Sequence, residues 1–287
     1  MDGRPVPGPA PLTPEPPLPA PQVPPEGPQP EPPLTPEPPL PAPQPPARQR
    51  WRLVVARDPD APALGQRELT DAWLSAIEAA GLPVARTEAT TPRPRISFGA
   101  PLQAGMAAEG ELIDVVLTER WPAWRLREAL QPVLPAGWRL VRPEDVWLGG
   151  PPLAGRVAAA DYRITLDGPV EGSAADLERA CASLLGAPRL PRERAKGDRM
   201  VAYDLRPLLI DVGIRSVGPP TVVMARTRFH PELGTGRPEE VVAALADELG
   251  TALAIDAVVR ERVLVAEDLE PGDAPQAAAT TARVGRK

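Results

Sequence analysis

Glu111-Leu-Ile-Asp-Val-Val-Leu-Thr118 decides the fold: Leu112, Ile113, Val115, Val116 and Leu117 give it the apolar, β-branched bulk of a strand. Outward from it, a helix is predicted over about 122–131, then a strand over Trp138–Leu148. The run Leu148-Gly-Gly-Pro-Pro152 then breaks regular structure. Upstream, Arg95–Phe98 reads as a short strand after a pair of prolines. Leu69, Trp73, Ile77 and Ala80 recur every three or four residues as an amphipathic helix stopped at Gly81, and Trp51–Arg57 reads as a strand. Beyond residue 152 the rhythm returns, with a strand at about 156–166 and a helix at about 173–185 carrying Leu177, Cys181 and Leu184. Strands near 200–206, 208–216 and 220–229, a helix at 238–249 and a strand at 255–265 complete it. Each half reads approximately as β-α-β-β-α-β, a pattern that folds as a sheet with helices on one face. The expected class is α+β: two tandem ferredoxin-like layers, 50–150 and 151–268, with the boundary at the Gly-Gly-Pro-Pro run.

The flanks read differently. Residues 1–49 are expected to be a disordered proline-rich tail, because half of the 44 prolines fall within residues 1–50 and large apolar residues there are isolated. Pro-Leu-Thr-Pro-Glu-Pro-Pro-Leu-Pro-Ala-Pro-Gln occurs at 11–22 and again at 33–44. Such a duplicated unit samples polyproline II and reads as a spacer in preference to a ligand for an aromatic groove. Residues 269–287, polar and alanine-rich, are expected to be a disordered C-terminal tail.

A net charge of -6 shows no dominant nucleic-acid footprint. Thirty arginines against two lysines reflect coding bias, so arginine counts carry little weight. Cys181 is the single cysteine, which excludes an intramolecular disulfide or a multi-thiolate metal site. No apolar run approaches the roughly 20 residues that span a bilayer, and no membrane association is expected. The location expected is cytoplasmic.

Ala80-Gly-Leu-Pro-Val84, Thr91-Pro-Arg-Pro-Arg-Ile-Ser-Phe98 and Glu109-Gly-Glu-Leu-Ile-Asp114, followed by Ala160-Asp-Tyr-Arg-Ile164 and Tyr203-Asp-Leu-Arg-Pro207, together resemble the radical-SAM-linked family, a domain of unknown function. The likeness runs from about Trp51 to about residue 250. It implies a radical SAM protein as partner. The chain departs from the family at two places: Gly65-Gln-Arg-Glu68 stands where the family has Ser-His-Leu-Asp, and Ala89-Thr-Thr91 where it has Gly-Phe-Asn. Glu68 and Arg93 are what remains of that neighbourhood as candidate binding residues.

The other constellations carry less. Radical SAM chemistry needs three closely spaced cysteines, so this chain is not the radical enzyme, and Cys181 reads as a small core hydrophobe. His230 is the single histidine, which leaves neither a triad nor a multi-histidine zinc site. With Arg226 and Arg228 it is predicted to line one face of a strand as a small cationic strip. Gly234-Thr-Gly236-Arg-Pro238 before a helix reads as ordinary helix initiation rather than a phosphate loop. Arg189, Arg192, Arg194, Lys196 and Arg199 are expected in a basic loop that, with Arg93 and Arg95, suits an RNA backbone. Glu109 and Glu111 are predicted on one strand face with Asp114 on the other. The six tryptophans, all in the first half, read as core. No catalytic residue, metal or cofactor is expected. The function expected is a non-catalytic partner or substrate-recognition module for a radical SAM protein, the alternative being an RNA-binding protein in RNA modification or processing.

Overall fold

Along the first strand Trp51, Leu53 and Val55 alternate with Arg50, Arg52 and Val54, so one side of the pleat is apolar and the other carries charge. In the structure, a computed structural model describing residues 45–197 and 199–270, this alternation sets the two faces of the sheet. The expectations for the tails at 1–44 and 271–287 lie outside the described residues.

The elements run β1 (Gln49–Arg57), α1 (Gln66–Ala79), β2 (Ile96–Phe98), β3 (Ala107–Leu117), α2 (Ala123–Leu130), β4 (Trp138–Val146), β5 (Val157–Asp167), α3 (Ala174–Gly186), β6 (Pro191–Lys196), β7 (Arg199–Asp204), β8 (Leu209–Ser216), β9 (Val222–His230), β10 (Gly234–Thr235), α4 (Pro238–Leu249) and β11 (Ala254–Val265). The class is mixed α+β with a mostly sheet core. Two separate layers are not what forms. Nine strands share one sheet in the order β10-β9-β5-β11-β3-β1-β4, with β2 pairing β3 and β8 pairing β9. The seam between the halves is a short parallel pairing, Val259 to Ala107 and Arg260 to Ala108. Sheet hydrogen bonding thus crosses the boundary expected at 148–152, and the described residues fall in one compact unit.

Helix boundaries follow local chemistry. Glu68 Oε2 accepts from the Gly65 N–H at 2.9 Å, closing the first turn of α1. Ser173 and Asp176 form the equivalent box on α3. Pro238 opens α4 and Gly250, at φ 65°, ends it in the left-handed region. Trp51, Leu53 and Val55 pack with Leu69, Trp73 and Ile77 of α1, Ile113, Val115 and Leu117 of β3, and Leu126 and Leu130 of α2. Trp73 meets Trp138 edge to face with centroids 5.7 Å apart. A second cluster joins Tyr162, Ile164 and Leu166 of β5 to Cys181 and Leu184 of α3 and to Val241 and Leu245 of α4. Each fully buried side chain of this kind stabilises by about 1.5–3 kcal/mol.

Strand β3 contains a β-bulge. Val55 pairs Glu111 while Arg57, two residues on, pairs Ala108, three residues back. The extra residue shifts the phase of the strand, so Glu111 shares the helix face with Val55 and bonds Arg260, the cross-strand partner of Tyr162. Among the described residues all four α-helices therefore lie on one side of the sheet, and the other side carries no α-helix; there the 3-10 turn Leu153–Gly155 packs Leu153 on Val54 and Leu112.

Four tryptophans are core, as the sequence predicts; Trp124 and Trp147 are instead 67% and 78% exposed. The basic loop expected at 189–199 is a hairpin, β6 paired to β7 from Pro191–Asp204 to Lys196–Arg199. Its charged residues hid it, because no apolar residue alternates along Arg192-Glu-Arg194.

Candidate functional site

On the helix-free face, Arg50 and Arg52 of β1 converge on Asp114 of β3. Arg50 Nε donates to Asp114 Oδ2 at 2.8 Å and Arg52 Nε to Oδ1 at 2.9 Å, with all three side chains buried. Arg50 is fixed further by Nη1 on the Gly150 carbonyl at 2.8 Å and Nη2 on the Pro151 carbonyl at 2.9 Å. The Gly-Gly-Pro-Pro run is thus pinned over the sheet by a guanidinium. Burial works against the charge of Arg52, but the hydrogen bond and charge of Asp114, with Glu144 and Asp268 nearby, hold its pKa above the ordinary value.

Beside this cluster opens a cleft of about 320 Å³. Its floor is Arg50, Asp114 and Val116. Arg95, Ile96 and Ser97 form one side, and Thr87, Pro94, Gly150 and Pro152 the rim. Ser97 pairs Asp114 across β2 and β3, and the Val116 N–H donates to the Arg95 carbonyl, which puts Arg95, Ser97, Asp114 and Val116 on one face. The backbone of Arg95 is clamped from both sides, since its N–H donates to the Ala85 carbonyl at 2.8 Å. Its side chain is exposed and, like that of Ser97, makes no hydrogen bond to another described residue.

Farther across the face charges are paired. Arg226 Nε donates to Asp161 at 2.6 Å and Arg262 reaches the same carboxylate at 3.2 Å. Arg163 bridges Glu109 at 2.6 Å and Glu261 at 2.9 Å. On the opposite face Arg260 and Glu111 form a bidentate pair at 2.6 Å, and Arg260 also donates to the Pro101 carbonyl. Burial lowers the Arg260 pKa, but Glu111 and Tyr162 outweigh it and the net direction is up.

The predicted site residues separate. Glu68 is the α1 cap and Arg93 is exposed, its N–H held by Thr87 Oγ1 at 3.0 Å; neither lines the cleft, whereas Arg95 does. Arg226, Arg228 and His230 lie on one strand, but Arg226 is neutralised by Asp161 and Arg228 Nε donates to the Pro207 carbonyl. His230 Nδ1 accepts from the Glu232 and Leu233 N–H groups, so it shapes the turn into β10. Glu109 and Glu111 do not share a face, because of the bulge; Glu109 pairs Arg163 on the side of Asp114. In the hairpin Arg192 reaches Asp247 of α4 at 2.5 Å, which ties it to the body, and Arg194 stacks 4.7 Å over Tyr203 of the hairpin's own second strand. Cys181 is buried, and burial, then Asp211 and Glu178, push its thiol up to about 11. Among the described residues no group of three or more His, Cys, Asp or Glu is placed to hold a metal ion, and no helix is long and apolar enough to cross a membrane.

Sequence reasoning missed Arg50, Arg52 and Asp114 as a unit. The signal was Asp114 alone in the apolar run Leu112–Leu117 with two arginines spaced to one face of β1, since a carboxylate buried in a sheet requires partners.

The fold and cleft define an α+β protein whose described α-helices lie on one side of a nine-stranded sheet, with a paired-charge cleft on the other. The chain belongs to the family described as "Uncharacterized protein conserved in bacteria (DUF2344)", whose model matches residues 50–259. That description names no function, and nothing in it bears on a radical SAM link. No curated protein matches the chain. Among solved structures it is similar to a chain of a Cbf5-Nop10-Gar1 complex, with TM-score 0.41, 9% identity, and coverage of 73% of this chain and 48% of that one. It is similar also to a chain of the archaeal box H/ACA sRNP Nop10-Cbf5 complex, with TM-score 0.37, 12% identity, and coverage of 73% and 47%. A third, an unknown protein from Galdieria sulphuraria, has TM-score 0.22, 15% identity, and coverage of 76% and 99%. The chain spans about half the length of the first two, and all three likenesses are too distant to bear on function.

Proposed function

We propose that this chain is a non-catalytic recognition module that works in the cytoplasm with a radical SAM protein, holding that protein or its substrate against the helix-free face. We read its halves, 50–150 and 151–268, as two split βαβ units of the ferredoxin type, β4-β1-β3-β2 and β11-β5-β9-β8, merged into one sheet. One observation carries the functional reading: charges of that face are already locked in three clusters, Arg226 and Arg262 on Asp161, Arg163 on Glu109 and Glu261, and Arg50 and Arg52 on Asp114. A partner then meets fixed charges, and less side-chain entropy is lost on binding. The resemblance at 80–84, 91–98 and 109–114 supports the choice of partner. Affinity purification from the host under anaerobic conditions tests it. Recovery of a radical SAM protein that survives nuclease and is lost in Glu261→Arg is expected; failure of the two proteins to associate overturns the reading.

A second reading, RNA binding, is favoured by Arg86, Arg93 and Arg95, exposed on one arm with Glu88 as its one acid, and by the exposed ring of Trp147. RNA affinity that falls steeply with salt supports it, and no binding at low salt removes it.

A further inference from the structure

We propose that the cleft beside Arg95 is a binding site for an organic anion with an apolar body. The volume of about 320 Å³ lies at the small end of ligand sites, which run from about 300 to 1,000 Å³. Pro94, Val116 and Pro152 supply the apolar surface, while the Ile96 side chain, on the other face of β2, packs on the helix-side core. The charge is set by the floor. Asp114 is shared between two buried guanidiniums, so one carboxylate faces two positive charges with little water to screen them. Arg95 adds a third positive charge at the side, and no acid other than Asp114 lines the cleft.

The groups divide the work. Arg50 spends most of its N–H groups on Asp114, Gly150 and Pro151, so its contribution is mainly field. Arg95 and Ser97 keep their side-chain donors and stand on the same face as the floor, with the Arg95 backbone held on two sides. A carboxylate, sulfonate or phosphate taken up there meets one forked donor and one hydroxyl, while its carbon skeleton lies on proline and aliphatic surface. A cation of the same shape is repelled, and a neutral one gains only the apolar contact. The inference concerns the chain alone and stands or falls apart from any protein partner.

Titration of the purified full chain with anilinonaphthalene sulfonate, an aromatic anion whose fluorescence rises on apolar contact, tests it against the neutral N-phenylnaphthylamine. Saturable one-to-one binding of the sulfonate is expected, weakened about tenfold or more by Arg95→Glu, which removes a charge-assisted contact worth about 1.5–3 kcal/mol. Arg189→Glu, an exposed change outside the cleft, leaves affinity unchanged. Circular dichroism and the melting temperature show that each variant is folded, and Ser97→Phe, which fills the cleft, abolishes binding as a second route to the same result. Absence of saturable binding, equal affinity for the neutral probe, or indifference to both cleft variants overturns the proposal.

Discussion

Strand β3 carries two buried carboxylates three residues apart, Glu111 and Asp114, and they face opposite sides of the sheet. Glu111 meets one guanidinium, Arg260, whose other donors go to backbone carbonyls, beneath the helices. Asp114 meets two guanidiniums at the edge of an open cleft. One centre is balanced in charge and borders a small pocket of about 120 Å³; the other carries a net positive charge and borders the larger cleft. The chemistry of the residues is the same, so what separates structure from site here is stoichiometry and access.

Glu111→Ala breaks the balanced centre and leaves Arg260 buried without its partner. The expected loss is about 3–5 kcal/mol in urea unfolding. Glu111→Leu with Arg260→Met restores most of that loss, because a buried pair exchanged for apolar side chains is often neutral. Asp114→Asn affects the positive centre in two ways. Stability falls by about 3 kcal/mol, yet the folded fraction binds the anionic probe more tightly, since the cleft has lost its one carboxylate. If Glu111→Ala altered probe affinity equally, the two centres would be one and the comparison would fail.

Gly110→Ala tests the phase shift between them. A Cβ at this position falls 2.7 Å from the Glu261 carbonyl oxygen, so the bulge must move. A loss of about 1–3 kcal/mol is expected from calorimetry. The smallest effect concerns Cys181. Its pKa is raised in the folded state from 9.0 to about 11, so the folded protein holds the proton more tightly. The stability this contributes is complete below pH 9 and lost as pH rises toward 11. The urea midpoint of the native protein therefore declines over that window, and Cys181→Ala shows a shallower decline. Thiol reagents leave the native cysteine unmodified at pH 8.

Periodicity made most of the fold legible. The alternation in β1 and the spacing of Leu69, Trp73 and Ile77 specify which side of each element is buried, and Gly81 and Gly250 mark helix ends by the same chemistry that the structure uses. What it hid was long-range. Nothing local reports that β11 pairs β3 across about 150 residues, or that one residue at Glu109-Gly110 reverses the faces of the acids beyond it. The site was legible in one residue, Arg95. Arg50 and Arg52 carried no local signal in an arginine-rich chain, because guanidinium burial depends on an acid 62 or 64 positions away. Glu68 misled for a related reason: a carboxylate three residues into a helix serves its own backbone as readily as it serves a ligand.

The parallel seam between β3 and β11 also bears on biosynthesis. The edge of β3 that waits for Val259 and Arg260 is made well before its partner, which is the last of the described strands. At bacterial elongation rates of about 5–20 residues per second, roughly 120 residues separate β4 from the end of β11 and hold that edge open on the ribosome for on the order of ten seconds. An unpaired strand edge is where nascent chains associate wrongly. Translation speed over the second half, and the chaperones that meet the emerging chain, therefore help set how much of this protein a cell recovers in native form.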